Sequence, residues 1–164
     1  MKTFQKQYPG EIIVRTAPDF LQRTFNQLRG NLKLTLEDGY DVSRVYLMLD
    51  EVLSNIYKHG YGRQDGQPIG VRVRVENGLC VIVTRDLAPT FDSPGQARTR
   101  VLPDPETGAP GGRGLVIVHR MCESFEHEAP PEGGNVLRLV LKLILRSGVL
   151  GAAPRRKRIT RTQK

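Results

Sequence analysis

Glu51, Asn55 and His59 recur at every fourth residue, a spacing that sets them in one row along a helix, drifting by ~40° per step. The row presents a carboxylate, an amide and an imidazole, polar groups of the kinds that line a binding or catalytic pocket. On a helical wheel the row runs beside the apolar stripe Val45, Leu49, Val52 and Ile56 rather than opposite it. It follows the margin of the core, where a pocket can be lined, with Asn55 and His59 nearest the apolar edge. The same spacing also describes an ordinary polar flank, and His59 fits plain packing as well as pocket lining.

Two further features carry chemistry. Asp86 stands at the end of an apolar run, followed by Leu87-Ala88-Pro89-Thr90-Phe91-Asp92; a carboxylate there either initiates a turn or faces a ligand. Gly111-Gly112-Arg113-Gly114-Leu115 opens an apolar helical segment. Glycines let a backbone approach a ligand closely, and a helix N-terminus presents free N–H groups to an anion. The cluster is no Walker A loop, since no Gly-Lys-Ser/Thr follows, and it lacks the third glycine and the preceding strand of a dinucleotide fingerprint.

The elements that must position these residues are legible in outline. Glu11–Thr16 is β-prone, and Ala17-Pro18-Asp19 opens a helix to about Leu28, with Phe20, Leu21, Phe25 and Leu28 at helical spacings. After the polar connection Glu37–Tyr40 a second helix is expected from about Val42 to His59, stopped by Gly60 and Gly62. Val71, Val73 and Val75 alternate with Arg72, Arg74 and Glu76, and Asn77-Gly78 is a strong hairpin signal. The returning strand Leu79–Thr84 is apolar on both faces, which predicts a central position. Ala88–Gly112 has little periodicity and reads as a binding loop or lid. A helix from Gly114 or Leu115 to about Glu123 and two β-prone segments, Ser124–Glu128 and Asn135–Leu145, complete the pattern. This order predicts an α/β (α+β) two-layer sandwich, a mostly antiparallel mixed sheet covered by helices.

The chain has 164 residues, 38% of them hydrophobic and 26% charged, which suits one globular domain. The net charge of +8 suggests nucleic acid until it is located. Six of the 25 basic residues and no acidic ones lie in Pro154–Lys164, so 19 basic groups face 17 acidic ones elsewhere, a net of +2. The expectation is a nearly neutral domain over residues 1–150 and a flexible basic tail over 151–164, with nucleic acid a partner only through that tail. Cys80 and Cys122 sit in apolar segments without metal-ligand spacing and read as buried thiols. No apolar run is long enough for a membrane span, and the first residues lack a signal-peptide core, so no membrane partner and a cytoplasmic location are expected.

Taken together, Glu51-x-x-x-Asn55 on a helix, Asp86 after a hairpin and Gly112-x-Gly114-Leu115 after a long loop resemble the N, G1 and G2 boxes of the GHKL (histidine kinase-like) ATPase superfamily. Within it the chain looks most like the bacterial anti-sigma factor serine/threonine-protein kinases. That likeness is carried by Asp86-x-x-x-x-Phe91-Asp92 and Gly112-x-Gly114-Leu115-x-x-Val118-x-Arg120-Met121. It runs from about Glu11 to Leu145.

The resemblance implies a Bergerat-type ATP-binding fold with ATP and Mg²⁺ as cofactors. Asn55 matches the Mg²⁺ ligand, Glu51 the general base that takes a proton from an attacking hydroxyl, and Asp86 the adenine reader. Gly112 and Gly114 match the phosphate loop, Ser93–Pro110 the lid, and His59, Ala88, Phe91, Arg113 and Leu115 fall around the nucleotide. Two positions depart from the pattern. Ala88 stands where the family usually has glycine, an intrusion expected to weaken nucleotide affinity or shift the loop, and Asn135-Val136 stands where the family often has threonine. No phosphoacceptor histidine helix is visible, which argues against a two-component histidine kinase and for an acceptor on another protein. The implied partners are a sigma factor and a STAS-type anti-sigma factor antagonist, with a homodimer as the family often forms. The competing expectation is a catalytically weak, nucleotide-gated binding module that regulates transcription by partner switching.

Overall fold

The computed structural model describes residue 4 and residues 7–37, 40–90 and 113–145. In chain order these form strand β1 (Ile12–Arg15), helix α1 (Phe20–Glu37), strand β2 (Tyr40–Asp41) and helix α2 (Ser43–Asn55), which continues into a π-helical turn (Ile56–Gly60). Strands β3 (Pro68–Glu76) and β4 (Leu79–Asp86), helix α3 (Arg113–Met121) and strands β5 (Ser124–Glu128), β6 (Asn135–Lys142) and β7 (Ile144–Leu145) follow.

The Asn77-Gly78 signal becomes a two-residue turn with φ of 51° and 75° at those residues, the left-handed pair that matches strand twist. It fixes the register of β3 on β4 from Glu76↔Leu79 to Ile69↔Asp86. The main sheet has the order β1-β3-β4-β6-β5, and each of its ladders is antiparallel. β4 lies at its centre, as its two-sided apolar pattern predicts.

Because side chains alternate, Ile69, Val71, Val73, Cys80, Ile82, Leu137, Leu139 and Leu141 fall on one face, and all are buried. Against them pack Val45, Met48, Leu49, Val52 and Leu53 of α2, each at most 1% exposed. A Leu→Ala truncation at a site such as Leu49 costs about 2–5 kcal/mol. The opposite face carries Arg72, Arg74, Val81, Val83, Val136 and Arg138, half-buried or exposed. The architecture is therefore an α/β sandwich of two layers. Cys80 is buried, and burial pushes its thiol up to about 12; Cys122 is half-buried and pushed up to about 11. No helix among the described residues is long and apolar enough to cross a membrane.

Three elements differ from the sequence expectation. α1 continues nine residues past Leu28, to Glu37; Gly30 inside it costs about 1 kcal/mol relative to alanine and does not end the helix. Tyr40–Asp41, expected as connection, forms β2 and pairs with β7. The last segment is two strands rather than one, broken at Leu143, whose N–H donates to the Gly78 carbonyl at 2.8 Å. Aromatic pairs Phe20–Tyr57 (5.3 Å between centroids) and Phe25–Tyr46 (5.5 Å, edge-on) tie α1 to α2 and its π-helical turn.

Candidate active site

α2 and α3 lie side by side and antiparallel. At one end the Arg44 guanidinium donates to the Met121 carbonyl at 3.4 Å, on the last residue of α3. At the other, the start of α3 meets Glu51 and Asn55. A β-carbon built on Gly114 would overlap Glu51 Oε2 and lie 3.4 Å from Asn55 Nδ2. The glycine thus lets a helix N-terminus, with its unsatisfied N–H groups, come against a carboxylate and an amide. Two features read separately in the sequence form one junction.

Asn55 is half-buried, and its Nδ2 is a buried polar atom with no hydrogen-bond partner. Such an atom costs about 1–3 kcal/mol unless something meets it. The two ends of a carboxamide are isosteric, so a turn of the group by 180° puts its oxygen in the same place. Among the described residues no cluster of His, Cys, Asp and Glu is arranged to hold a metal. A single neutral oxygen suits Mg²⁺, which keeps most of its ligands as water and phosphate. The orphaned amide, with the Glu51 carboxylate beside it at Gly114, fits such an ion.

The regular row ends at Asn55. Beyond it the Tyr61 N–H donates to Ile56 O at 2.8 Å and Arg63 N–H to Tyr57 O at 2.8 Å, wider loops than an α-helix makes. His59 lies in this π-helical turn and is exposed. Gly62 and Arg63 then turn the chain with φ of 58° and 64°.

Asp86 is 5% exposed at the C-terminal end of β4. Its Oδ1 accepts from the Ala88 N–H at 2.9 Å and from Asn135 Nδ2 at 2.9 Å, while no described group donates to Oδ2. The first bond is a local turn of the kind aspartate makes with the backbone two residues on. Turn formation and ligand reading are therefore compatible, one oxygen for each. Burial raises the Asp86 carboxyl above its ordinary 3.8, and the bonds from Asn135 and Ala88 pull it back down.

Ala88 is 2% exposed, and its methyl faces Gly60: a β-carbon there would lie 3.0 Å from the Ala88 Cβ. The extra carbon is housed by a second glycine at the end of the π-helical turn. Tyr61 reinforces this seam, its hydroxyl donating to Pro68 O at 2.6 Å and accepting from the Leu87 N–H at 2.7 Å. Burial pushes that phenol up to about 12.

Phe91, Gly112, the side chains of Arg113 and Leu115, and the proposed lid Ser93–Pro110 lie outside the described residues, as does the basic tail 151–164. Sequence reasoning missed Tyr61 and Gly134 and treated Asn135 only as a departure. Gly134 has φ of 86°, and a β-carbon on it would overlap the Asp86 carbonyl and lie 3.2 Å from Leu87 Cα. The adjacent Gly133-Gly134 pair was the available signal for such a close approach.

A cavity of about 930 Å³ shares Asp86, Ala88 and Asn135 with this region but opens toward Arg85 and Val83 on the other sheet face. Glu51, Asn55 and Gly114 do not line it. There Arg85 is held bidentately by Glu11 at 2.5 and 2.6 Å and lies over the rings of Phe4 (4.0 Å) and Tyr8 (4.6 Å). That group anchors the residues before β1.

The family model of the histidine kinase-like ATPase domain matches residues 16–141. No curated protein matches the chain.

Proposed function

We propose that this chain, which belongs to the histidine kinase-like ATPase domain family, is an ATP-dependent protein serine/threonine kinase. In this reading it phosphorylates a STAS-type anti-sigma factor antagonist and sequesters a sigma factor. The observation that carries the kinase reading is the junction at Gly114, where a helix N-terminus, a carboxylate and an unpartnered buried amide converge.

The roles follow from the groups themselves. Asp86 Oδ2 accepts from the exocyclic amine of adenine and is repelled by the carbonyl of guanine. The N–H groups that open α3 donate to the polyphosphate. Asn55 supplies one oxygen to Mg²⁺, which neutralises phosphate charge when bound. Glu51, one turn before Asn55, takes the proton of the attacking hydroxyl. Its closeness to Gly114 keeps that carboxylate at the phosphate end of the site rather than the adenine end. The burial of the Ala88 methyl against Gly60 supports retained nucleotide binding, and so favours the kinase over the catalytically weak module.

Transfer of label from γ-labelled ATP to an antagonist protein tests this reading. Transfer that falls about 10²-fold or more in Glu51→Ala, with ATP binding retained, is expected. Transfer unaffected by that substitution contradicts the role of Glu51. ATP binding without transfer favours the binding module.

A further inference from the structure

Asn135 occupies a position that no catalytic role claims, yet it is 3% exposed and every polar atom of its side chain is engaged. It is the direct cross-strand partner of Asp86 on the helix-covered face of the sheet. Its Nδ2 donates to Asp86 Oδ1 at 2.9 Å and reaches Pro89 O at 3.4 Å; its Oδ1 meets His127 Nε2 at 3.0 Å. These contacts fix the orientation of the amide. Turned over, it would set an oxygen against two acceptors, the Asp86 carboxylate and the Pro89 carbonyl. His127, on β5, backs this orientation from the other side, its Nε2 donating to Asn135 Oδ1 in the tautomer that the amide oxygen selects.

We propose that Asn135, backed by His127, is a positioning residue that sets the base specificity of this site. With the Ala88 N–H it saturates Oδ1, so Oδ2 is left as a bare acceptor that pairs with an exocyclic amine and rejects a carbonyl. The inference rests on the nucleotide reading above and extends it to residues outside the three motifs. Its physical basis is a contest at Asp86: burial favours the neutral acid, whose hydroxyl would donate to a carbonyl, whereas two N–H donors on one oxygen favour the carboxylate. The other titratable groups that bear on Asp86 are His127 and Tyr61, while Arg85 and Glu11 side chains lie on the opposite face.

Inosine triphosphate isolates the claim, because it replaces the adenine amine by a carbonyl and leaves the ribose and phosphates unchanged. Calorimetry on the full chain with Mg-ATP and Mg-ITP compares wild type, Asn135→Leu, Asn135→Thr and His127→Leu. The expected result is a preference for ATP in wild type that falls ~10-fold or more in Asn135→Leu and is partly restored by the hydroxyl donor of Asn135→Thr. His127→Leu, which keeps Asn135 but strands its buried Oδ1 and loosens the amide, is expected to lower the preference in the same direction, and it serves if Asn135→Leu does not fold. Equal weakening of both nucleotides, with their ratio unchanged, means a structural role only and overturns the proposal. Wild type that binds neither nucleotide overturns the nucleotide reading and this inference with it. Wild type that prefers ATP while both variants keep the same ratio overturns this inference alone.

Discussion

Gly114 and Glu51 are in contact across the α2–α3 seam, so close that a β-carbon on the glycine would overlap the carboxylate oxygen Oε2. The atom in the way is the far end of a flexible side chain, so Gly114→Ala is expected to displace the Glu51 carboxylate rather than unfold the chain. Phosphotransfer should fall ~10²-fold, as a misplacement of about 1 Å can cause, while the thermal midpoint moves by only a few degrees. Transfer assays and thermal melts on the same preparation check both halves.

Asn55→Ala separates ion binding from folding. The substitution removes an unsatisfied buried amide, so the thermal midpoint should stay level or rise. The gain in ATP affinity that Mg²⁺ provides should shrink by ~10-fold or more, with affinity in EDTA unchanged. Titrations with and without Mg²⁺ measure this directly.

On the proposed reading, Asp86 is expected to tie nucleotide binding to pH. Burial raises its folded-state pKa, whereas the unfolded chain ionises near the ordinary 3.8. The folded chain therefore holds a proton over a window in which the unfolded chain has lost it. Its contribution to stability is largest below that window and is lost as pH rises through the raised value. Asp86→Asn, which can keep both Oδ1 bonds, should then melt at or above wild type at neutral pH, with the difference closing in acid. It should also lose ATP affinity at every pH. Melts across pH and a binding titration test the two statements.

The seam at Asp86 and Leu87 is backbone-built and should behave differently from Gly114. Gly134→Ala meets the Asp86 carbonyl and Leu87 Cα rather than a side-chain end, at φ of 86°. A loss of about 2 kcal/mol or more is expected. Tyr61→Phe strands the Leu87 N–H and the Pro68 carbonyl, for about 1–3 kcal/mol. Urea denaturation gives both values.

The residues that could do chemistry were readable because each lies where local rules are strict. Asn77-Gly78 set the hairpin that ends at Asp86, and the Val45/Leu49/Val52/Ile56 stripe fixed which side of α2 Glu51 and Asn55 flank. What the sequence did not reveal depends on contacts between distant segments. The π-helical turn that carries His59 is fastened by Tyr61 to Pro68 and Leu87. The tolerance of Ala88 depends on Gly60, 28 positions earlier. The strand β2 exists only because β7 pairs with it. None of these pairings leaves a periodic trace in the chain itself.

On the proposed reading, the ends of α2 and β4 and the start of α3 bind Mg-ATP through Asn55, Asp86 and the N–H groups that open α3. Isothermal titration of the full chain with Mg-ATP, beside Mg-GTP and beside the Asp86→Asn variant, tests it most directly. The account predicts saturable binding at one site per chain, tighter for ATP than for GTP and weakened ~10-fold or more by the substitution. No heat of binding from wild type at millimolar Mg-ATP, or equal affinity for ATP in Asp86→Asn, would contradict it.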